Sequence, residues 1–124
     1  MIIEYNIVPH RKQRYDTVGD YFYKQSRWHF RISRLKDRRY IVLVFLHEMI
    51  EWTLCQLAGI KMKDIDRFDR EYERTRHPMG AAAPCGCVHL EEPGDDPHAP
   101  YHAQHVTATA CEQLIANAIG VKWD

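Results

Sequence analysis

The stretch Ile41-Val42-Leu43-Val44-Phe45-Leu46-His47-Glu48-Met49-Ile50-Glu51-Trp52 is apolar except for one histidine and two carboxylates in its second half. Apolar residues continue at Leu54, Leu57 and Ala58, and Gly59 stands where a helix-ending glycine belongs. A helix that is apolar on most sides is a buried helix. Ionisable groups inside it must be paired, hydrogen-bonded or bound to a metal, because burying them alone costs roughly several kcal/mol. At about 100° per residue, Glu51 lies roughly 40° around from His47, Cys55 roughly 80° and Glu48 roughly 100°. These four residues form one polar stripe. His47 and Glu51, as i and i+4 neighbours, can reach one ion together.

Upstream, the first third of the chain reads as β. Ile3, Tyr5 and Ile7 alternate with Glu4 and Asn6. Gly19-Asp20-Tyr21-Phe22-Tyr23 is followed, after the polar Lys24-Gln25-Ser26, by Arg27-Trp28-His29-Phe30-Arg31-Ile32-Ser33. Trp28, Phe30 and Ile32 face one side and His29, Arg31 and Ser33 the other, the period of a half-buried strand. Downstream, Asp64 is a good N-cap for a second helix to about residue 76, with Ile65, Phe68 and Tyr72 on its apolar side. Residues 77–100 hold five prolines and three glycines and read as a long loop, a kind of segment that is often functional. A third helix is expected from about 101 to 119, ended by Gly120. The predicted fold is a single α+β domain: a small antiparallel sheet over about residues 2–33, packed on three helices at about 37–58, 64–76 and 101–119.

At 124 residues the chain can build one core, and its formal net charge of zero argues for neither nucleic acid nor a membrane surface. The clusters at Arg11-Lys12-Gln13-Arg14 and Arg34 to Arg39 read as solvated surface. The start, Met1-Ile2-Ile3-Glu4, lacks a basic segment followed by a long apolar core, and the longest apolar run is too short to span a bilayer. The expectation is a cytoplasmic protein with reduced cysteines. Cys55 and Cys111 read as core. Cys85-Gly86-Cys87 with His89 reads as ordinary loop, its spacing being tighter than structural zinc sites use.

Four groups are candidates for chemistry: the stripe His47, Glu48, Glu51; the row Asp66, Asp69, Glu73 at the edge of the second helix's apolar face; His102 and His105 at the start of the third helix; and Glu112. Two turns, or about 10 Å, separate His105 from Glu112, so they would not share an ion, and one of them would serve as an outer partner. The short connector predicts that the second helix lies antiparallel to the first, which would bring Asp66 and Asp69 towards Glu48 and Glu51. Each group also has an ordinary reading. The acidic row can pair with Arg67, Arg70 and Arg74, and His47 with Glu51 can be an internal hydrogen-bonded pair.

His47-Glu48-Met49-Ile50-Glu51 resembles the H-E-x-x-H helix of zincin-type zinc hydrolases, with a strand before it as in those proteins. The resemblance implies His47 as a metal ligand and Glu48 as the general base that activates a metal-bound water. Glu51 replaces the second histidine and can still ligate zinc. A third ligand would come from His105, or next from Asp69. A second resemblance runs through Glu48-x-x-Glu51 and, after 14 intervening residues, Asp66-x-x-Asp69. It is similar to the acidic pairs of MazG-like NTP pyrophosphohydrolases, which implies Mg²⁺ held by carboxylates of two adjacent helices and acting on a nucleotide. That family lacks a β-rich N-terminus, and His47 suits a transition metal better.

The expected function is therefore a metal-dependent hydrolase of a small-molecule or peptide substrate, with a divalent ion, zinc before magnesium or manganese. The metal ligands are sought among His47, Glu51, His105, Asp69 and Asp66, and Glu48 is the catalytic base. The alternatives are the Mg²⁺-dependent pyrophosphohydrolase and a non-catalytic binding or structural domain with a buried polar network. The aromatic hairpin residues Tyr21, Tyr23, Trp28 and Phe30 are read as core, with a homodimer face as the alternative.

Overall fold

The computed structural model describes residues 1–75 and 92–122 and is α+β, with the sheet at the N-terminus. Three strands, β1 (Ile3–Val8), β2 (Gly19–Lys24) and β3 (Arg27–Ser33), form a sheet in the order β1-β3-β2. Three helices follow: α1 (Arg38–Ala58), α2 (Met62–Thr75) and α3 (His102–Ala118). The Cys85-Gly86-Cys87 and His89 stretch lies outside the described residues.

The hairpin falls where the sequence puts it. Gln25 and Ser26 both take positive φ, 55° and 62°, the two-residue turn that matches the twist of the flanking strands. Neither is the favoured Asn or Gly, at a cost of about 1 kcal/mol each. One expectation is corrected: the sheet is mixed, not antiparallel. β2 pairs antiparallel with β3, but β1 pairs with β3 in parallel, Tyr5 opposite Phe30. The hairpin leaves only one edge of β3 free, and β1 takes it. The connector from β1 to β2 then passes over the end of β3, where Gln13 donates to the carbonyl of Arg31 and to Ser33 Oγ. Ser33 is buried beneath it, although strand alternation points Ser33 away from the core face.

α1 starts on Asp37, whose carboxylate accepts from the Arg39 backbone N–H at 2.9 Å, and ends at Gly59, φ 73°. α2 begins two residues before Asp64, which sits in its first turn and favours the positive end of the helix instead of capping it. Phe30 and Ile32 are fully buried against α1, and Phe30 meets Trp52 edge-on at 5.5 Å. Tyr21, Phe30, Trp52, Cys55, Ile65 and Tyr101 form the main core, so Tyr21 and Phe30 of the hairpin are core residues, while Tyr23 is exposed. The helix lying along α1 is α3, not α2: Leu43 packs on Ala116, and the end of α1 meets the start of α3, so the pair is antiparallel. By length and composition α1 is the one described helix able to cross a membrane, contrary to the reading of its apolar run as too short. The apolar residues of α1 outweigh His47, Glu48 and Glu51 in its hydropathy, and all three of those line the protein's own site.

Candidate metal centre

The i, i+4 geometry of α1 sets His47 and Glu51 side by side, and the antiparallel α3 lowers His105 onto them. His47 Nε2 lies 3.2 Å from Glu51 Oε2, His105 Nδ1 lies 2.9 Å from the same oxygen, and the two ring nitrogens are 3.2 Å apart. All three side chains are buried. No placement of protons gives all three contacts a hydrogen bond. Each nitrogen carries either one N–H or one lone pair, so a nitrogen that accepts from the other faces the carboxylate with its lone pair. A cation at the centre satisfies all three contacts at once. Ligand atoms about 2.1 Å from a tetrahedral zinc are about 3.4 Å from one another, close to the spacing here.

The far atom of each of these three side chains is also held. Tyr21 OH donates to Glu51 Oε1 at 2.8 Å, leaving Oε2 turned inwards. His105 Nε2 lies 3.0 Å from Asp95 Oδ1 and 3.2 Å from Glu92 Oε2. His47 Nδ1 is 2.7 Å from Glu112 Oε1, an ion-pair approach that is out of line for a full hydrogen bond. A carboxylate behind each imidazole places the N–H on the outer nitrogen and presents the inner one as a ligand.

The charges follow from this crowding. Burial alone would lower the His47 pKa, but contact with Glu112 and Glu51 outweighs it and pushes the pKa up to about 11. Against the same burial, Glu51 and Glu92 raise His105 to about 10. Burial would raise Glu51, but the two histidines bring it down to about 2. Without a metal, therefore, the cluster is a pair of imidazolium ions around one carboxylate. Burial and the neighbouring charge of Glu51 push Glu48 well above the ordinary carboxylate range.

The three residues open on a cavity of about 50 Å³, large enough for an ion with one or two waters. Glu48 lines it beside them, along with Tyr15, Asp69, Glu92 and Tyr101. Two glycines let the backbone approach. At Gly19 a Cβ would lie 2.7 Å from Glu48 Oε1 and from Val44 Cγ1. At Gly94 a Cβ would lie 2.4 Å from Cγ of the His105 ring. Gly94 belongs to a short 3-10 turn, Pro93–Asp95, that closes over the ring, and His102 Nδ1 bonds the Gly94 carbonyl at 2.9 Å. Gly94→Ala must push either the turn or the ring aside. The expected result is a loss of about 1–3 kcal/mol in urea unfolding, with metal affinity falling as Asp95 leaves His105.

Of the residues singled out in the sequence, His47, Glu51 and His105 meet, and Glu48 stands next to them. Asp69 faces the same cavity, but Tyr101 OH and Tyr15 OH donate to its two oxygens. Burial raises Asp69 to about 7 against those bonds. Asp66 pairs with Arg14 at 3.0 Å. Among the described residues neither belongs to a group with ligand spacing, because α2 lies beside the Pro93–Asp95 turn and not along α1. His102 ties down the turn, and Glu112 is the outer partner of His47. Tyr21, Tyr15, Tyr101, Glu92 and Asp95 escaped the sequence reading. The run Glu92-Pro93-Gly94-Asp95, a few residues before two histidines on a helix, was a usable signal. Glu92, Asp95 and His105 form a second, more exposed group within ligand spacing. Comparison of the chain with protein-family models, curated proteins and solved structures found no match.

Proposed function

We propose that the chain is a metal-dependent hydrolase whose ion is held by His47, Glu51 and His105. The observation that carries this reading is the triangle of three inward atoms at ligand spacing, in which two ring nitrogens that both face Glu51 Oε2 stand only 3.2 Å apart with no hydrogen bond to justify that approach. Two imidazoles and one carboxylate form a donor set of catalytic zinc, and the nitrogen ligands favour zinc over magnesium or manganese. Three protein ligands leave the fourth position to the cavity. A zinc ion held by these residues would supply Lewis-acid chemistry, lowering the pKa of a water to about 7. Glu48, next to His47 on the same helix and lining the same cavity, would take a proton from a water in that cavity and deliver it to the leaving group. The three residues line a cavity of only about 50 Å³, so the scissile group belongs to a small molecule or to a projecting part of a peptide. The magnesium reading is weaker here, because Asp66 and Asp69 are engaged by Arg14 and by two tyrosines.

The test is a panel of chromogenic esters, amides and phosphoesters with the zinc-loaded protein. Glu48→Gln is expected to keep its zinc and lose about 10²–10⁴-fold in kcat/KM. Unchanged turnover in that variant rules out the base, and a zinc-loaded protein inert on every substrate class rules out the hydrolase.

A further inference from the structure

We propose that the substrate of this centre carries an ammonium group close beside its scissile carbonyl and that Asp69 receives it, a substrate class that rests on the hydrolase reading. Six of the 17 residues lining the cavity are Asp or Glu, namely Asp20, Glu48, Glu51, Asp69, Glu73 and Glu92, and no described lining residue is Lys or Arg. The whole chain carries 17 charges of each sign, so the imbalance belongs to the cavity and not to the composition.

The hydrogen-bond inventory of the wall points the same way. Every side-chain O–H among the described lining residues already donates within the protein. Tyr15 and Tyr101 donate to Asp69, Tyr21 to Glu51, and Thr17 to the Gly19 carbonyl at 2.8 Å. The outer nitrogens of His47 and His105 face Glu112 and Asp95. The side chains of the wall therefore offer acceptors to a ligand, and a substrate carboxylate or phosphate would find no side-chain donor there. The matching ligand brings N–H donors of its own.

Asp69 is the carboxylate that fits the role. Asp20 and Asp66 share the guanidinium of Arg14, at 2.7 and 3.0 Å. The partners of Asp69 are instead two neutral hydroxyls, one on each oxygen, although the residue is only 7% exposed. A carboxylate accepts about four hydrogen bonds, so each oxygen keeps a lone pair. A buried anion without a counter-charge is costly, and a neutral hydroxyl group would leave that charge uncompensated. An ammonium supplies the donors and the charge together, and the Tyr15, Tyr21 and Tyr101 rings of the same wall suit a cation.

Size sets the spacing. Asp69 and the three ligand residues line one cavity of about 50 Å³, which keeps the ammonium and the scissile group close neighbours. The substrate is then an α-amino acyl amide or ester, the N-terminal residue of a peptide included. In the amide, the oxygen of water bonds to the acyl carbon, the C–N bond breaks, and the amine leaves with the proton that Glu48 relays, giving a free α-amino acid and an amine.

The test compares alanine p-nitroanilide with its N-acetyl and lactoyl counterparts on the zinc-loaded protein. The free amine is expected to be cleaved with a kcat/KM at least about 100-fold above both. Asp69→Asn is expected to shrink that ratio at least about 10-fold at unchanged zinc content. Calorimetric titration with propylamine, which is protonated at about pH 7, against propanol reads the same site without turnover. Propylammonium is expected to bind the wild type at least about 10-fold more tightly than propanol and to lose that advantage in Asp69→Asn. Circular dichroism checks the fold of the variant, and both wild-type comparisons stand without it. N-acetyl substrate cleaved as well as the free amine overturns the substrate class and leaves the hydrolase standing. Inert protein that still prefers propylammonium overturns the hydrolase reading alone. Equal affinity for propylammonium and propanol overturns the ammonium site, whatever is turned over.

Discussion

One zinc ion per chain is the expected content of the wild-type protein after loading and dialysis, and His105→Ala is expected to abolish it. His105 is the only ligand from α3, so its loss leaves two groups from a single helix turn and an open side. Removing an outer partner of a zinc ligand costs about 10–100-fold in affinity, and removing the ligand itself costs more. His47→Ala and Glu51→Ala should behave alike. Asp66→Asn and Asp69→Asn should keep the ion, since both carboxylates are engaged elsewhere. His105→Cys separates ligation from folding, because a thiolate at this position can restore a zinc ligand that alanine cannot. Competition with a chromogenic chelator gives the affinities, and circular dichroism checks the fold. Saturating the site at about 100 times its Kd should stabilise the wild type by about 2.7 kcal/mol and the alanine variants by nothing. Equal zinc in wild type and His105→Ala would move the site away from the triangle.

Zinc binding near neutral pH is expected to expel about two protons and to tighten up to about 100-fold per pH unit. His47 and His105 stand at about 11 and about 10 without a metal, against an ordinary 6.5. Both are therefore protonated at neutral pH, and both must lose the proton on the inner nitrogen to ligate. Calorimetry in buffers of different ionisation enthalpy counts the protons directly. The stability of the metal-free protein follows from the same shifts. A histidine whose pKa is raised by folding contributes fully below 6.5, and that contribution fades as pH climbs through about 10 to 11. Asp69, raised from 3.8 to about 7, also contributes at low pH and loses its contribution as pH rises through 7. Glu51, lowered from 4.5 to about 2, works the other way and loses its contribution as pH falls through 2. Metal-free protein should thus be most stable at about pH 4.5–6.5 and weaken steadily towards alkali, while the zinc-loaded form holds its stability there. Zinc affinity that is flat across neutral pH would show that the imidazoles are not the ligands.

Local signals made most of the elements legible. Asp37 and Gly59 bound α1 because capping is chemistry of adjacent residues. The alternation in Trp28 to Ser33 marks a strand, but it says nothing about which strand lies beside it or in which direction, so the parallel β1 pairing came only with the fold. A short connector between α1 and α2 suggested neighbours, yet α3, with its small and uncharged residues, packs closer to α1 and displaces α2 from that place. That exchange keeps Asp66 and Asp69 away from His47 and Glu51 and brings in His105.

The amino-acid sequence alone determined that α1 carries buried ionisable groups and that His47 and Glu51 share one face, since helical period and hydropathy suffice for both. Only the tertiary structure decided what they meet. His105, 58 residues beyond His47 along the chain, reaches the pair through the crossing of α3. Tyr21 arrives through the register of the hairpin, and Asp95 through the turn that Gly94 allows against the ring. Each of those contacts depends on long-range packing, and no periodicity within a single element encodes it.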